Sequence, residues 1–264
     1  MENKTCMIIN FFFGERRKIG NIYNSDKLSL LKKQIHYLST VKHSLDTIVL
    51  SFNLDKETIG ILSSFINEIP KTIQNSKVEI VLRNNVGMSY GAWAEYSINN
   101  IDKYDYFIFN EDDYFFVEDD FDYHMIDIFN SKINCGYLAT ISREPSGWNQ
   151  NRKHAGCSIG MVSKKSLEEV KDNFKEISNN DGNTYKDAES LQINFTHCFI
   201  EKGFEIYDVR DKFRIPFSTT LESEPDIILF FNYNKKDLIN PFVMVSEQYT
   251  FTVADLEEFK PYAD

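Results

Sequence analysis

Four apolar runs, each of strand length and each separated from the next by a stretch with helical spacing, constrain this chain more than any other feature. They are Lys4–Phe13, Thr47–Phe52, Lys77–Leu82 and Tyr104–Phe109. Between the first two, Asp26–Thr40 sets Leu28, Leu31, Ile35 and Leu38 at helical spacing. Lys56–Ile69 repeats the pattern with Ile59, Leu62, Ile66 and Ile69, and Pro70 stops it. Ser89–Ile101 reads as a third helix. Strands joined through helices of this length cannot be hairpins. They need crossovers, and crossovers build a parallel sheet.

After Asp113 the pattern changes. A short helix is expected over Asp119–Phe129, with acidic residues favouring its start, and strands over Gly136–Ile141 and Cys157–Val162. An amphipathic helix follows, Ser166–Ile177, with Leu167, Val170, Phe174 and Ile177 on one face. Ser166 and Glu169 have capping-box spacing. A second helix is expected over Asp187–Lys202, stopped by Gly203, then a strand over Phe204–Val209. From Pro225 onward the pattern is mixed.

With 29 basic and 40 acidic side chains, the net charge is −11. Broad contact with a phosphate backbone relies on Lys and Arg, so nucleic acid is not an expected partner. A phosphorylated ligand approaching such a surface needs a local positive charge, which a divalent cation supplies. No apolar run approaches the roughly 20 residues of a membrane-spanning helix. Met7–Phe13 is short and interrupted by Asn10, so it reads as a strand and not as a signal peptide. Cys6, Cys135, Cys157 and Cys198 form no C-x-x-C pair. They read as reduced thiols of a cytoplasmic protein. Oligomeric state is not legible.

The stretch with the most chemistry is YDYFIFNEDDYFFVEDDFD, Tyr104–Asp122. An apolar strand runs straight into Glu111-Asp112-Asp113. In open parallel sheets, ligands bind at the carboxyl ends of strands. If the backbone stays extended, Glu111 and Asp113 point to one side and Asp112 to the other. Two carboxylates on one side suit a hard cation, Mn2+ or Mg2+, that also takes phosphate oxygens. Acidic runs are more often solvated turns. That reading suits Glu118-Asp119-Asp120 better than the first run, which follows a strand too apolar to lie at the surface.

A strand ending in Glu-Asp-Asp resembles the D-x-D motif of glycosyltransferases of the GT-A fold. RNNVGMSYGAW, Arg83–Trp93, is similar to the N-x-G-x-x-x-G-A element of family 2-like and rhamnan-synthesis-like members. The resemblance covers about Lys4–Val209. It implies an α/β fold of GT-A type: one catalytic domain, with residues 1–113 as a nucleotide-binding, Rossmann-like half and 114–224 as a mixed acceptor-side half. Residues 225–264 form an extension.

The resemblance also implies roles. The end of the first strand, including Phe11 and Phe13, would lie beside the nucleotide. Asn53 and Asp55 would read the base, most often uracil, although an Asx turn explains them as well. Asn85, Gly87, Ser89 and Gly91 would form the donor loop, with glycines letting backbone approach a ligand and Ser89 capping the next helix. Arg83 either meets the donor diphosphate or pairs with a surface acid. Glu111 and Asp112 would lie near the ribose or metal, and Asp113 would be the direct metal ligand.

An inverting transferase needs a carboxylate to take the acceptor hydroxyl's proton. In the resembling family it sits at a helix start beyond the metal motif, which nominates Asp187, then Glu189. Acidic residues at helix starts are also favoured by the helix dipole alone. Glu144, in the polar loop that carries Trp148, Arg152 and His154, is a third candidate. His154 or His197 is a candidate further metal ligand, although His197 reads as a packed core histidine.

The expected partners are a nucleotide-sugar donor, such as a UDP-sugar, and a glycan or other hydroxyl acceptor. A sugar nucleotidyltransferase is the nearest alternative. It wants a Gly-rich basic loop after the first strand, and FFFGERRKIG meets that loosely. A metal-dependent phosphohydrolase and a non-catalytic sugar-binding protein are the others.

Overall fold

The structure is a computed structural model that describes residues 3–12, 27–54, 62, 65–112, 114–116, 119–140, 142–143, 153–155, 159–179, 185–209 and 242–244. The first half contributes β1 (Thr5–Phe12), α1 (Lys27–Thr40), β2 (Thr47–Leu54), β3 (Thr72–Ile73), β4 (Ser76–Asn84), α2 (Met88–Asn99) and β5 (Tyr106–Glu111). After it come β6 (Tyr114–Phe116), α3 (Phe121–Ser131), β7 (Cys135–Ala139), β8 (Ser142–Arg143) and β9 (His154–Ala155). The remaining elements are β10 (Gly160–Ser163), α4 (Lys164–Ser178), α5 (Tyr185–Glu201), β11 (Glu205–Asp208) and β12 (Phe242–Met244). Most of the helix expected over Lys56–Ile69 lies outside the described residues. Leu62 and Phe65 are helical, and Ile66–Glu68 forms a 3-10 turn.

One sheet of eight strands, ordered β11-β7-β10-β5-β1-β2-β4-β3, forms the centre. β1 pairs in parallel with both β2 and β5, and β2 with β4. In the second half β10 runs antiparallel between β5 and β7, while β11 is parallel to β7. The expected GT-A-type α/β architecture, a Rossmann-like parallel half joined to a mixed half, is therefore the observed one.

Alternation along β1 divides the core in two. Met7, Ile9 and Phe11 pack with Leu31 and Leu38 of α1 on one face. Cys6 and Ile8 pack with Trp93 of α2, Phe174 of α4 and Phe195 of α5 on the other. The β1-α1-β2 crossover thus lies on one face and the β4-α2-β5 crossover on the opposite one. β2 and β4 are laid down on one side of β1, and the chain then returns to place β5 on the other side. The strand order reverses between β1 and β5, and in open α/β sheets ligands bind at the carboxyl ends of the strands at such a point.

One local expectation is corrected. The α4 cap lies three residues earlier: Ser163 is the N-cap, and it forms the reciprocal box with Ser166 instead of Ser166 with Glu169. Acidic residues stand at the start of α3, with Asp120 at its N-cap and Asp122 in its first turn. Asp119 accepts from the Lys42 backbone N–H at 2.7 Å, and Asp120 pairs with the Lys42 ammonium at 3.0 Å. From the C-terminal segment, β12 pairs antiparallel with β6 directly after the acidic triplet.

Cys6, Cys135 and Cys198 are buried free thiols, and burial pushes Cys135 and Cys198 up to about 12. Cys157 lies outside the described residues. No helix among the described residues is long and apolar enough to cross a membrane.

Candidate active site

β5 extends two residues further than its apolar run, so Glu111 is the strand's last residue and stands opposite Asn10 of β1. The backbone is still extended there, and the carboxylates diverge. Glu111 lies on the α2 side, where Ser89 Oγ donates to its Oε1 at 2.7 Å. Asn10 Nδ2 donates to the same Ser89 hydroxyl at 3.2 Å. One hydrogen-bonded chain thereby joins the ends of β1 and β5 to the start of α2. Asn10 is only 4% exposed, and its Oδ1 has no hydrogen-bond partner among the described residues.

Asp112 turns to the α1 side. It is buried, and its Oδ2 accepts the Phe12 N–H at 3.4 Å. Gln34 of α1 donates its Nε2 to the carbonyl oxygens of Glu111 at 3.1 Å and Asp112 at 3.2 Å, and to that of Tyr114. Asn110 donates to the Tyr114 carbonyl at 3.0 Å, and Trp93 Nε1 donates to the Asn110 carbonyl at 3.1 Å. Asp113 lies outside the described residues.

The donor-loop residues divide. Ser89 is at the site but does not cap α2. Gly87 is the N-cap, at φ 71°, with no side-chain cap bond. A Cβ on Gly87 would lie 1.7 Å from the Ser178 carbonyl oxygen, and one on Gly91 would lie 2.0 Å from Val86 O and 2.5 Å from Arg83 Nη2. Both glycines have a packing reason independent of any ligand. Arg83 pairs with an exposed acid and with neighbouring groups of the loop. Its Nε donates to Glu95 at 3.0 Å, its Nη1 to Asn53 Oδ1 at 2.6 Å and its Nη2 to Val86 O at 2.8 Å. Asn53 is buried and its amide oxygen serves this guanidinium. The Phe11 side chain is core, stacked on Phe52 at 5.0 Å between centroids, because odd-numbered β1 residues face α1. Asn85 is half-buried between β4 and α2. Phe13 and Asp55 lie outside the described residues.

Asp187 and Glu189 are the third and fifth residues of α5, and their side chains lie outside the described residues. The helix itself is well placed. Only Lys202–Phe204 separate its end from β11, which is parallel to β7. β7 in turn runs in the direction of β5, because β10 is antiparallel to both. A helix of this length spans about 25 Å. Its start therefore lies toward the carboxyl ends of β5 and β1, on the face that carries Ser89. His154 is fully buried in β9, whose pairing with β8 closes the base of the polar loop. Glu144, Trp148 and Arg152 of that loop lie outside the described residues.

Among the described residues no three His, Cys, Asp or Glu side chains converge as a metal set. The donor chemistry nonetheless fits a hard cation: the Glu111 carboxylate and the Asn10 Oδ1, which has no hydrogen-bond partner among the described residues, offer oxygen atoms on paired residues of β5 and β1. The phenol of Tyr137 beneath them is pushed up, first by burial and then by Tyr90 and Glu111. Asn110 and Gln34 carried no motif. Gln34 has one sequence signal: it falls on the apolar stripe of α1, three residues after Leu31 and four before Leu38.

No family model matches the chain, and no curated protein matches it in sequence. Solved structures do. The glycosyltransferase GlyE of Streptococcus pneumoniae TIGR4 overlaps with a TM-score of 0.50 at 12% identity, covering 99% of this chain and 60% of that one. A cytidylyltransferase from Leptospira borgpetersenii serovar Hardjo-bovis overlaps with a TM-score of 0.47 at 11% identity, covering 98% and 95%. A CMP:2-keto-3-deoxy-manno-octonic acid synthetase complexed with CTP gives 0.44 at 13% identity, covering 78% and 88%. At such identities the likeness to GlyE is one of fold.

Proposed function

We propose that this chain transfers a glycosyl group from a nucleotide-sugar to a hydroxyl acceptor, with Mn2+ or Mg2+ held by Glu111 and Asp113. One observation carries the reading. The Asn10–Ser89–Glu111 chain gathers oxygen atoms at the place where the strand order reverses, in a protein of net charge −11 where a diphosphate needs positive charge to receive it. A bound divalent cation supplies that charge and stabilises the departing nucleoside diphosphate.

In this reading Ser89 orients the Glu111 carboxylate, and α2 presents its N-terminal dipole to the anion. Asp187, with Glu189 as its neighbour, takes the acceptor proton from the start of α5. Attack on the anomeric carbon from the face opposite the leaving group inverts its configuration. A uracil nucleotide is the donor base.

Thermal unfolding against UDP, GDP, CDP and their sugars, with and without Mn2+, tests this. A ligand at about 100 times its Kd adds roughly 2.7 kcal/mol, a shift of about 5–10 °C for a chain of this size. A metal-dependent shift with UDP or a UDP-sugar, abolished in a folded Asp113→Ala variant, is expected. Full metal-dependent binding and turnover in that variant would remove the cation assignment. Pyrophosphate release from a nucleoside triphosphate and a sugar phosphate would instead make the chain a nucleotidyltransferase. Sugar binding without any nucleotide response would make it a non-catalytic sugar-binding protein.

A further inference from the structure

A fully buried amide beneath the acidic triplet has no role in the reading above. Gln34 is 0% exposed, in the middle of α1, flanked by the buried Leu31 and Leu38. Its single NH2 group donates to three carbonyl oxygens, those of Glu111, Asp112 and Tyr114. Two N–H bonds shared among three acceptors must be partly bifurcated. The amide can be oriented only this way, because a flipped Gln34 would set its oxygen against three carbonyl oxygens.

That orientation leaves Gln34 Oε1 buried with no hydrogen-bond partner. Orphaned buried acceptors are rare in folded proteins. A leucine at position 34 would fill the stripe without one. The orphan is therefore tolerated for what the NH2 group does.

We propose that Gln34 is a positioning residue for the cation-binding turn, one that acts through the backbone carbonyls of Glu111, Asp112 and Tyr114 and touches neither cation nor substrate. Drawing these three carbonyls toward α1 fixes the peptide planes that follow Glu111, Asp112 and Tyr114, and so holds the backbone from which the Glu111 side chain leaves. Asn110 assists by donating to Tyr114 O, and Asp112 closes the turn against the Phe12 N–H. The inference rests on the cation reading of Glu111 and Asp113.

The test uses the full chain and Mn2+ alone, without nucleotide, with free Mn2+ followed by electron paramagnetic resonance. Gln34→Met keeps the length and removes the donors. Gln34→Asn keeps the amide but is one methylene too short to reach the three carbonyls, and it carries the test if the methionine variant does not fold. Loss of an outer-shell partner weakens metal affinity on the order of 10- to 100-fold, and that loss is expected in either variant. Metal-free amide exchange should quicken in 108–116 and stay unchanged in β2 and β7. Wild-type Mn2+ affinity in a folded variant, with unchanged exchange over 108–116, overturns the proposal. Uniformly faster exchange with undiminished Mn2+ affinity also overturns it, since Gln34 would then only stabilise the fold. Failure of the wild-type chain to bind Mn2+ sinks the cation reading itself, which separates the two failures.

Discussion

Gly87 shows how a residue can match a ligand-binding pattern for a reason of its own. It takes φ 71°, and the space its Cβ would need holds the Ser178 carbonyl at 1.7 Å. Gly87→Ala should cost about 1–3 kcal/mol from the backbone conformation alone, with the contact at Ser178 adding to it. Chemical denaturation of the variant checks this. A change under 0.5 kcal/mol would mean that α4 and the α2 entry loop are not packed as described. The same residue scale explains which parts of the site were legible. The acidic triplet announces itself because three carboxylates after an apolar strand are chemically conspicuous. Ser89 was found through its motif, but its partners Asn10 and Glu111 come from strands 79 and 22 residues away. Arg83 could be read two ways because nothing local says that Asn53 and Glu95 lie within its reach. Gln34 was passed over since its partners are backbone carbonyls, which carry no sequence signature.

At the scale of elements, boundaries and caps depended on contacts the sequence does not display. The helical periodicity of α4 was plain, yet its first turn is set by Ser163. Ser163→Ala should therefore destabilise by about 1 kcal/mol, while Glu169→Ala, at the residue first expected to complete the box, should stay within about 0.5 kcal/mol. The start of α3 gives a second case. Asp122 is buried and accepts the Ser44 N–H at 2.8 Å, and its Oδ1 has no partner among the described residues. Burial raises its carboxyl, while burial lowers the nearby His43, whose Nε2 contacts Leu38 O at 2.9 Å. A raised folded pKa makes stability rise as pH falls through the folded value toward the unfolded one. A lowered histidine makes stability fall as pH drops below the histidine's unfolded value near 6.5. The two oppose each other on acidification. Asp122→Asn should therefore raise Tm at pH 8 and lose stability more steeply than the wild type as pH falls from 8 toward the unfolded carboxyl value of about 4. Parallel Tm profiles for the two proteins would assign Asp122 no part in the pH response.

For the molecule as a whole, the strand order carries most of the meaning. Alternating strands and helices gave the parallel half directly, because crossovers leave little topological freedom. The mixed half was less legible, since β10 is only four residues long and its antiparallel pairing with β5 has no local sequence signal. Beside the pairing of β10 with β5, Phe195 joins the halves. Its ring meets Tyr90 and Trp93 of α2, Phe109 of β5, Tyr137 of β7, Phe174 of α4 and Phe199 of its own helix, at centroid distances of 5.0–6.3 Å. It thus touches rings from both sides of residue 113. If residues 1–113 and 114–224 form one cooperative unit, Phe195→Ala should cost about 3–5 kcal/mol. The transitions followed by far-ultraviolet circular dichroism and by tryptophan fluorescence should then move down together and still coincide. Two separately folding halves would behave differently. With Trp148 replaced by Phe, the fluorescence comes from Trp93 in the first half, stacked on Phe109 at 5.3 Å, so that transition would stay near its wild-type position while part of the dichroism signal melted early. Coincident transitions would make the carboxyl ends of β1 and β5 a feature of one rigid body, with the start of α5 held toward them by the same core.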